Sequence, residues 1–248
     1  MIVIKTPSEL DAMRRVNRIT ARVRDELAAL IRPGITTLDL GNAAGELIRK
    51  NGGVSAFYGY HGFPGQICVS VNDEVVHGIP GPRVIRDGDI VSIDTGISLG
   101  GFIGDSAITV AVGEISAEKR KLLDVTQAAL AAGVAKAVVG NRLGDISHAI
   151  QTVVEAAGFS VVREFVGHGI GRDLHEDPQI PNFGKPGRGP VLKAGMTLAI
   201  EPMVNIGGAK VEILEDKWTV VTKDGTASAH FEHTVAVGVT APEILTLP

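Results

Sequence analysis

The strongest constraint on this chain is that it repeats itself. VIRDGDIVSIDTGI (84–97) and VLKAGMTLAIEPMV (191–204) share one pattern at an offset of 107 residues. Val84, Gly88, Ile93 and Asp94 fall opposite Val191, Gly195, Ile200 and Glu201. A second pair is DSAITVAV (105–112) and EHTVAVGV (232–239). Each begins with an acid and continues as alternating, β-branched sequence, which suits a strand. A chain that repeats its strands with an acid in matching places is constrained to two similar halves around a shared site.

The segments ahead of these strands also match. Thr6 can cap a helix, Pro7 suits its first position, and Glu9 stands where a capping box needs it. Leu10, Met13, Val16, Val23, Leu27 and Leu30 follow at roughly helical spacing, and Arg32-Pro33-Gly34 stops the helix. Thr37 begins a second helix that ends at Asn51-Gly52-Gly53. Later, Ser116 caps a helix running to about Val139, Gly140-Asn141 breaks it, and Asp145 caps a further helix ending near Gly158. Each half reads helix, helix, hairpin-like strands. The expectation is one α+β domain over 1–248, with pseudo-repeat halves at approximately 1–113 and 114–248 whose half-sheets face a common cleft.

Composition narrows the function classes. The formal net charge of −4 argues against a general nucleic-acid binder. The single cysteine, Cys68, allows no internal disulfide and fits a reducing compartment. MIVIKTPSELDAMRR lacks the apolar core of a signal peptide, and no apolar run reaches the ~18 residues of a membrane span. A soluble cytoplasmic protein is expected.

The chemistry sits at the strand ends. Asp94 and Asp105 flank TGISLGGFIG, and a tight glycine-rich hairpin brings them side by side on neighbouring strands. Asp94 follows IVSI, Glu201 follows LAI, and Glu232 lies between Phe231 and an apolar strand. Acids so placed are costly to bury unless they are paired or coordinate metal. Four carboxylates in one cleft cannot all stay ionised without cations, and two divalent ions resolve the repulsion. The stretch EFVGHGIGRDLHEDP (164–178) supplies His168 and His175. Its G-x-G-x-G order lacks the G-x-G-x-x-G spacing of a dinucleotide loop. Its His-Glu pair has no second histidine at zinc-helix spacing, and Pro178 interrupts. The glycines suit turns and close backbone approach. His168 added to the acids makes an oxygen-rich set with one imidazole, which favours Mn²⁺ or Fe²⁺ over a structural thiolate zinc site, with Co²⁺ and Zn²⁺ also accommodated.

IDTGISLGGFIGD, EFVGHGIGRDLHEDPQIPNF, AIEPMV and SAHFEHTVAV together closely resemble the type I methionine aminopeptidases. Those enzymes have the duplicated pita-bread fold shared with prolidase, aminopeptidase P and creatinase. The resemblance covers almost the whole chain. It implies that Asp94, Asp105, His168, Glu201 and Glu232 bind two divalent metal ions per chain (Co, Mn, Fe or Zn), with Asp105 and Glu232 bridging. It implies removal of the N-terminal methionine from nascent chains, by a metal-bridged hydroxide attacking the first peptide bond and with the free α-amine on one metal. Glu201 carries the proton, His175 meets the developing oxyanion, and His77 contacts the scissile nitrogen or leaving group. The methionine pocket is implied to use Tyr60, Phe63, Cys68, His77 and Trp218. Asn72, Glu74 and Ser228 resemble a monovalent-cation site. Two positions depart from the well-known bacterial pattern: Phe57 stands where a cysteine often lies, and Leu174 replaces a phenylalanine before His175. A monomer with transient ribosome contact is the implied setting.

Three rivals share the fold. A proline-specific peptidase usually carries a large N-terminal domain ahead of the catalytic one. A type II methionine aminopeptidase has a helical insertion between its last two acidic ligands, whereas Glu201 to Glu232 is a short connection here. A non-catalytic binding protein of the fold would have lost ligands, and all five are present.

Overall fold

The computed structural model describes residues 1–248. The two halves each contribute two helices and a set of antiparallel strands, in the α+β arrangement that the repeat implies. No helix is long and apolar enough to cross a membrane.

In the first half, α1 (Pro7–Leu30) starts on the capping box expected: Thr6 Oγ1 accepts from the Glu9 N–H, and the Glu9 carboxylate takes the Thr6 N–H. Its buried stripe of Met13, Val16, Val23 and Leu27 packs on the hairpin Ile90–Leu99 / Phe102–Ala111. Truncating Leu27, which is fully buried, would cost roughly 2–5 kcal/mol. The helix α2 (Thr37–Lys50) opens on a second capping box, between Thr36 and Asp39. The central strand of this half is 90–99, flanked by Cys68–Val71 on one side and 102–111 on the other, with Val54–Ser55 also pairing along it.

The second half repeats this with local changes. Thr197–Ile200 is its central strand, paired with His233–Ala236 and with Gly167–Gly169; Glu176–Ile180 and Glu243–Ile244 complete that sheet. The matched glycines keep the same backbone: Gly88 and Gly195 have φ of 86° and 87°. Only a left-handed conformation turns the chain into each strand there, and glycine takes it without a Cβ penalty. The matched valines also keep their partners, since Val84 bridges Thr36 and Val191 bridges Arg142.

Two helix-end expectations are corrected. The helix α3 (Ala117–Val134) begins after Ser116 as expected but stops short of Val139. Val138 bridges to Gly238 and the Val139 N–H donates to the Gly238 carbonyl, so pairing claims the backbone the helix would have used. In α4 (Leu143–Ala156), Asp145 is the third helical residue, not the cap. Its carboxylate reaches back to the Arg142 N–H at 2.7 Å, as Asp39 does to Thr36. As expected, Asp94 and Asp105 come together on neighbouring strands, as diagonal neighbours: Asp94 faces Ala107 and Asp105 faces Gly96. A two-residue stagger leaves both side chains on one face.

The halves are joined by a polar seam along 102–111. The Glu232 N–H donates to the Ala107 carbonyl at 2.8 Å, and Thr234 Oγ1 donates to the Asp105 carbonyl at 2.8 Å. Ser106 Oγ donates to the Glu232 carbonyl at 2.9 Å and accepts from the buried Arg24 guanidinium at 2.6 Å. One acid from each half is thereby fixed to the backbone beside the other.

Candidate metal centre

One cavity of about 160 Å³ lies at this seam. Asp94, Asp105, His168, Glu201 and Glu232 all line it, as do His77 and His175. Donor atoms of Asp105, His168 and Glu232 lie within 4.8 Å of one another. Nε2 of His168 is 3.4 Å from Glu201 Oε1. Asp94 and Asp105 lie on one face of neighbouring strands, so each raises the cost of ionising the other.

The protonation of these groups shows the stress of collecting them. Burial pushes Glu201 up to about 8 and Asp94 to about 6. Burial, reinforced by neighbouring carboxylates, drives Asp105 and Glu232 well above the ordinary range. The histidines move the other way: burial lowers His168 to about 3 and His77 to about 4. Neutral rings beside acids are ligands or hydrogen-bond partners, so the short His168–Glu201 approach is not an ion pair. Asp94 Oδ1, Asp105 Oδ1 and Glu232 Oε1 are buried with no hydrogen-bond partner. Orphaned carboxylate oxygens around a neutral imidazole are what one or more divalent cations would satisfy, so the donor set fits them.

The tautomer of His168 agrees. Its Nδ1 lies 2.9 Å from the Gly169 carbonyl, which can only accept, so Nδ1 carries the proton and Nε2 offers a lone pair to the acids. Close backbone approach sets its position. A Cβ on Gly167 would meet the Ala199 carbonyl at 2.4 Å, and one on Gly169 the Asp177 carbonyl at 2.1 Å.

The model of Metallopeptidase family M24 matches residues 11–238. Methionine aminopeptidase 1 of Bacillus subtilis is 58% identical over 246 residues, covering 99% of both chains. The chain belongs to metallopeptidase family M24, among its methionine aminopeptidases. A methionine aminopeptidase of Clostridium perfringens is 55% identical over 247 residues, 100% of this chain and 99% of that one. The crystal structure of a methionine aminopeptidase from Thermotoga maritima superposes with a TM-score of 0.98 at 48% identity, covering 100% of each chain. The fold is therefore the pita-bread fold of the M24 peptidases, and membership of a metallopeptidase family implies divalent metal ions.

The other residues expected at the site divide into those the fold gathers and those it sets apart. Tyr60, Phe63, Cys68 and Trp218 line the same cavity. Tyr60 Oη is 2.7 Å from His175 Nδ1, and the Phe63 and Trp218 rings meet edge to face at 5.1 Å. Cys68 stands opposite Asp94 in register, and burial raises its thiol, so it stays protonated. Phe57 is buried over Gly96, where a Cβ would come within 2.4 Å of its ring, and Leu174 lines the cavity beside it. Asn72 and Ser228 are adjacent, the Ser228 N–H donating to the Asn72 carbonyl at 2.9 Å. The Glu74 carboxylate is turned to the Val71 N–H and to Arg83. Sequence patterning missed Phe165, Met203 and His230. The first two line the cavity and read in sequence as ordinary strand residues; His230 lies beside Glu201.

Proposed function

We propose that this chain removes the N-terminal methionine from nascent proteins and peptides, with Asp94, Asp105, His168, Glu201 and Glu232 holding two divalent metal ions. The observation that carries this reading is the single cavity in which five ligand-type side chains, two further histidines and an apolar lining meet, in a member of the methionine aminopeptidases.

Divalent ions held by these residues would supply Lewis acidity at the scissile carbonyl and to a water beside it. The protein's own residues do the rest. Glu201 takes the proton of the attacking water and delivers it to the leaving amine. His175 donates to the carbonyl oxygen as negative charge develops there. Tyr60 supports that role, because an Oη–H bond to Nδ1 leaves the proton of His175 on Nε2. His77 is held with φ of 61° and packs edge to face on Phe165 at 5.5 Å. Being neutral, it can donate or accept at the scissile nitrogen. Phe63, Trp218 and Cys68 offer an apolar lining suited to an unbranched thioether side chain. Asn72 and Ser228, with Glu74 near them, are proposed to flank a monovalent cation. The protein is proposed to act in the cytoplasm as a monomer, with transient ribosome contact.

The test is hydrolysis of Met-Gly-Met-Met and of an Xaa-Pro dipeptide, before and after chelation and metal add-back. Methionine release that disappears on chelation and returns with metal is the expected result. Cleavage confined to the Xaa-Pro substrate, or none with any metal, would overturn the reading.

A further inference from the structure

The Glu201 carboxylate lies between two imidazoles. Its Oε1 is 3.4 Å from Nε2 of His168, and its Oε2 is 3.6 Å from Nε2 of His230. No role described so far falls to His230. Its side chain is only 2% exposed, and Nε2 has no hydrogen-bond partner. Leaving a buried polar nitrogen unpaired costs roughly 1–3 kcal/mol, so its aim at a carboxylate oxygen calls for an account.

The two rings differ at their other nitrogen. Nδ1 of His168 is committed to a carbonyl, which makes its Nε2 a lone-pair donor fit for metal. The ring of His230 makes no such bond. Its backbone alone is anchored: the N–H donates to Thr109 Oγ1 at 2.9 Å, and the carbonyl accepts from that hydroxyl at 2.8 Å. Nothing retains the proton on Nδ1, so Nε2 is free to carry it toward the acid. A shift of a few tenths of an ångström brings the pair within ordinary hydrogen-bond range.

We infer that His230 is a positioning residue whose Nε2–H donates to Oε2 of Glu201, leaving Oε1 turned toward His168 and the reacting groups. The inference rests on the proposed role of Glu201 as proton carrier. His230 thereby sets the rotamer of that carrier without entering the metal sphere itself.

The metal-loaded enzyme tests this with His230→Leu, which removes the donor, and His230→Gln, which keeps an N–H. His230→Leu should lower kcat for methionine release roughly 10-fold, the loss of about one hydrogen bond, with KM within about twofold. His230→Gln should recover most of that loss. Pulsed EPR on protein carrying one equivalent of Mn²⁺ should count one imidazole nitrogen in the wild type and the same in His230→Leu. Two imidazoles in the wild type falling to one in the variant would make His230 a ligand and overturn the inference. So would wild-type kcat in His230→Leu, or equal impairment in both variants. Glu201→Gln in the same series separates two failures. If it keeps full turnover, the proton-carrier reading falls and this inference with it; if it loses turnover while His230→Leu does not, only the role of His230 falls.

Discussion

The two halves of this molecule share a scaffold and differ in what they hang on it. In the first half, the central strand 90–99 is long and closes through a tight turn at Gly100-Gly101 onto 102–111, presenting two aspartates. In the second, the central strand 197–200 is short, its partner arrives some thirty residues later, and the acids are glutamates. The registers differ as well. Ile93 faces Ile108, three residues beyond its acid, whereas Ile200 faces His233, one residue beyond. The difference is two residues, the one slip that keeps every side chain on its original face. Beside the central strands, Ser70 faces Ser92 in the first half and His168 faces Ala199 in the second, each two residues before its acid. The two halves share the cleft, and unequal side chains at register-equivalent places add the imidazole of His168 to the four acids.

The largest effects should come from Asp105 and Glu232, which meet at the seam. Asp105→Asn and Glu232→Gln, one from each half, should both lose bound metal and drop methionine release to background, as read by metal analysis and peptide assay. Retention of full metal content by either would break the equivalence of the halves. The register-matched pair should behave oppositely: His168→Ala should fall with the acids, and Ser70→Ala, whose hydroxyl only accepts from the Gly78 N–H, should keep wild-type turnover. The next largest effect is on His175, where alanine should reduce kcat by roughly 10²–10³-fold if the ring stabilises the oxyanion. A change below about threefold would remove that role. Tyr60→Phe, which deletes the bond to His175 Nδ1, should cost about tenfold in kcat.

A smaller effect concerns pH. Without cations, burial raises Asp94 to about 6 and Glu201 to about 8, above the values near 4 that unfolded carboxyls have. Their contribution to stability is therefore fully present below about pH 4 and is lost as pH rises through 6 and then 8. Chelated protein should lose Tm over that span, and Mn²⁺ should raise Tm more at pH 8 than at pH 5.5. Equal metal-induced rises at the two values would show that the acids do not carry the strain.

Much of this was legible in the chain. The capping box at Thr6 and Glu9 is local chemistry and reads directly. The four acids stand out because acids at the ends of apolar strands need an explanation, and the repeat pairs them across the halves. What could not be read depends on contacts distant in sequence. The end of α3 is decided by Gly238, about a hundred residues later. The stagger of Asp94 and Asp105 is set by the turn, whose type the glycines permit but do not specify. His230 reads as a strand residue between Ala229 and Phe231, and only the folded backbone turns its ring to Glu201.

Both halves are proposed to hold the same ions. A crystal structure of the Mn²⁺-loaded protein with anomalous scattering tests it most directly. Two peaks are expected in the cavity at the seam, with Asp105 and Glu232 each in contact with bound metal. Peaks held by one half alone, or lying outside the cavity, would contradict it.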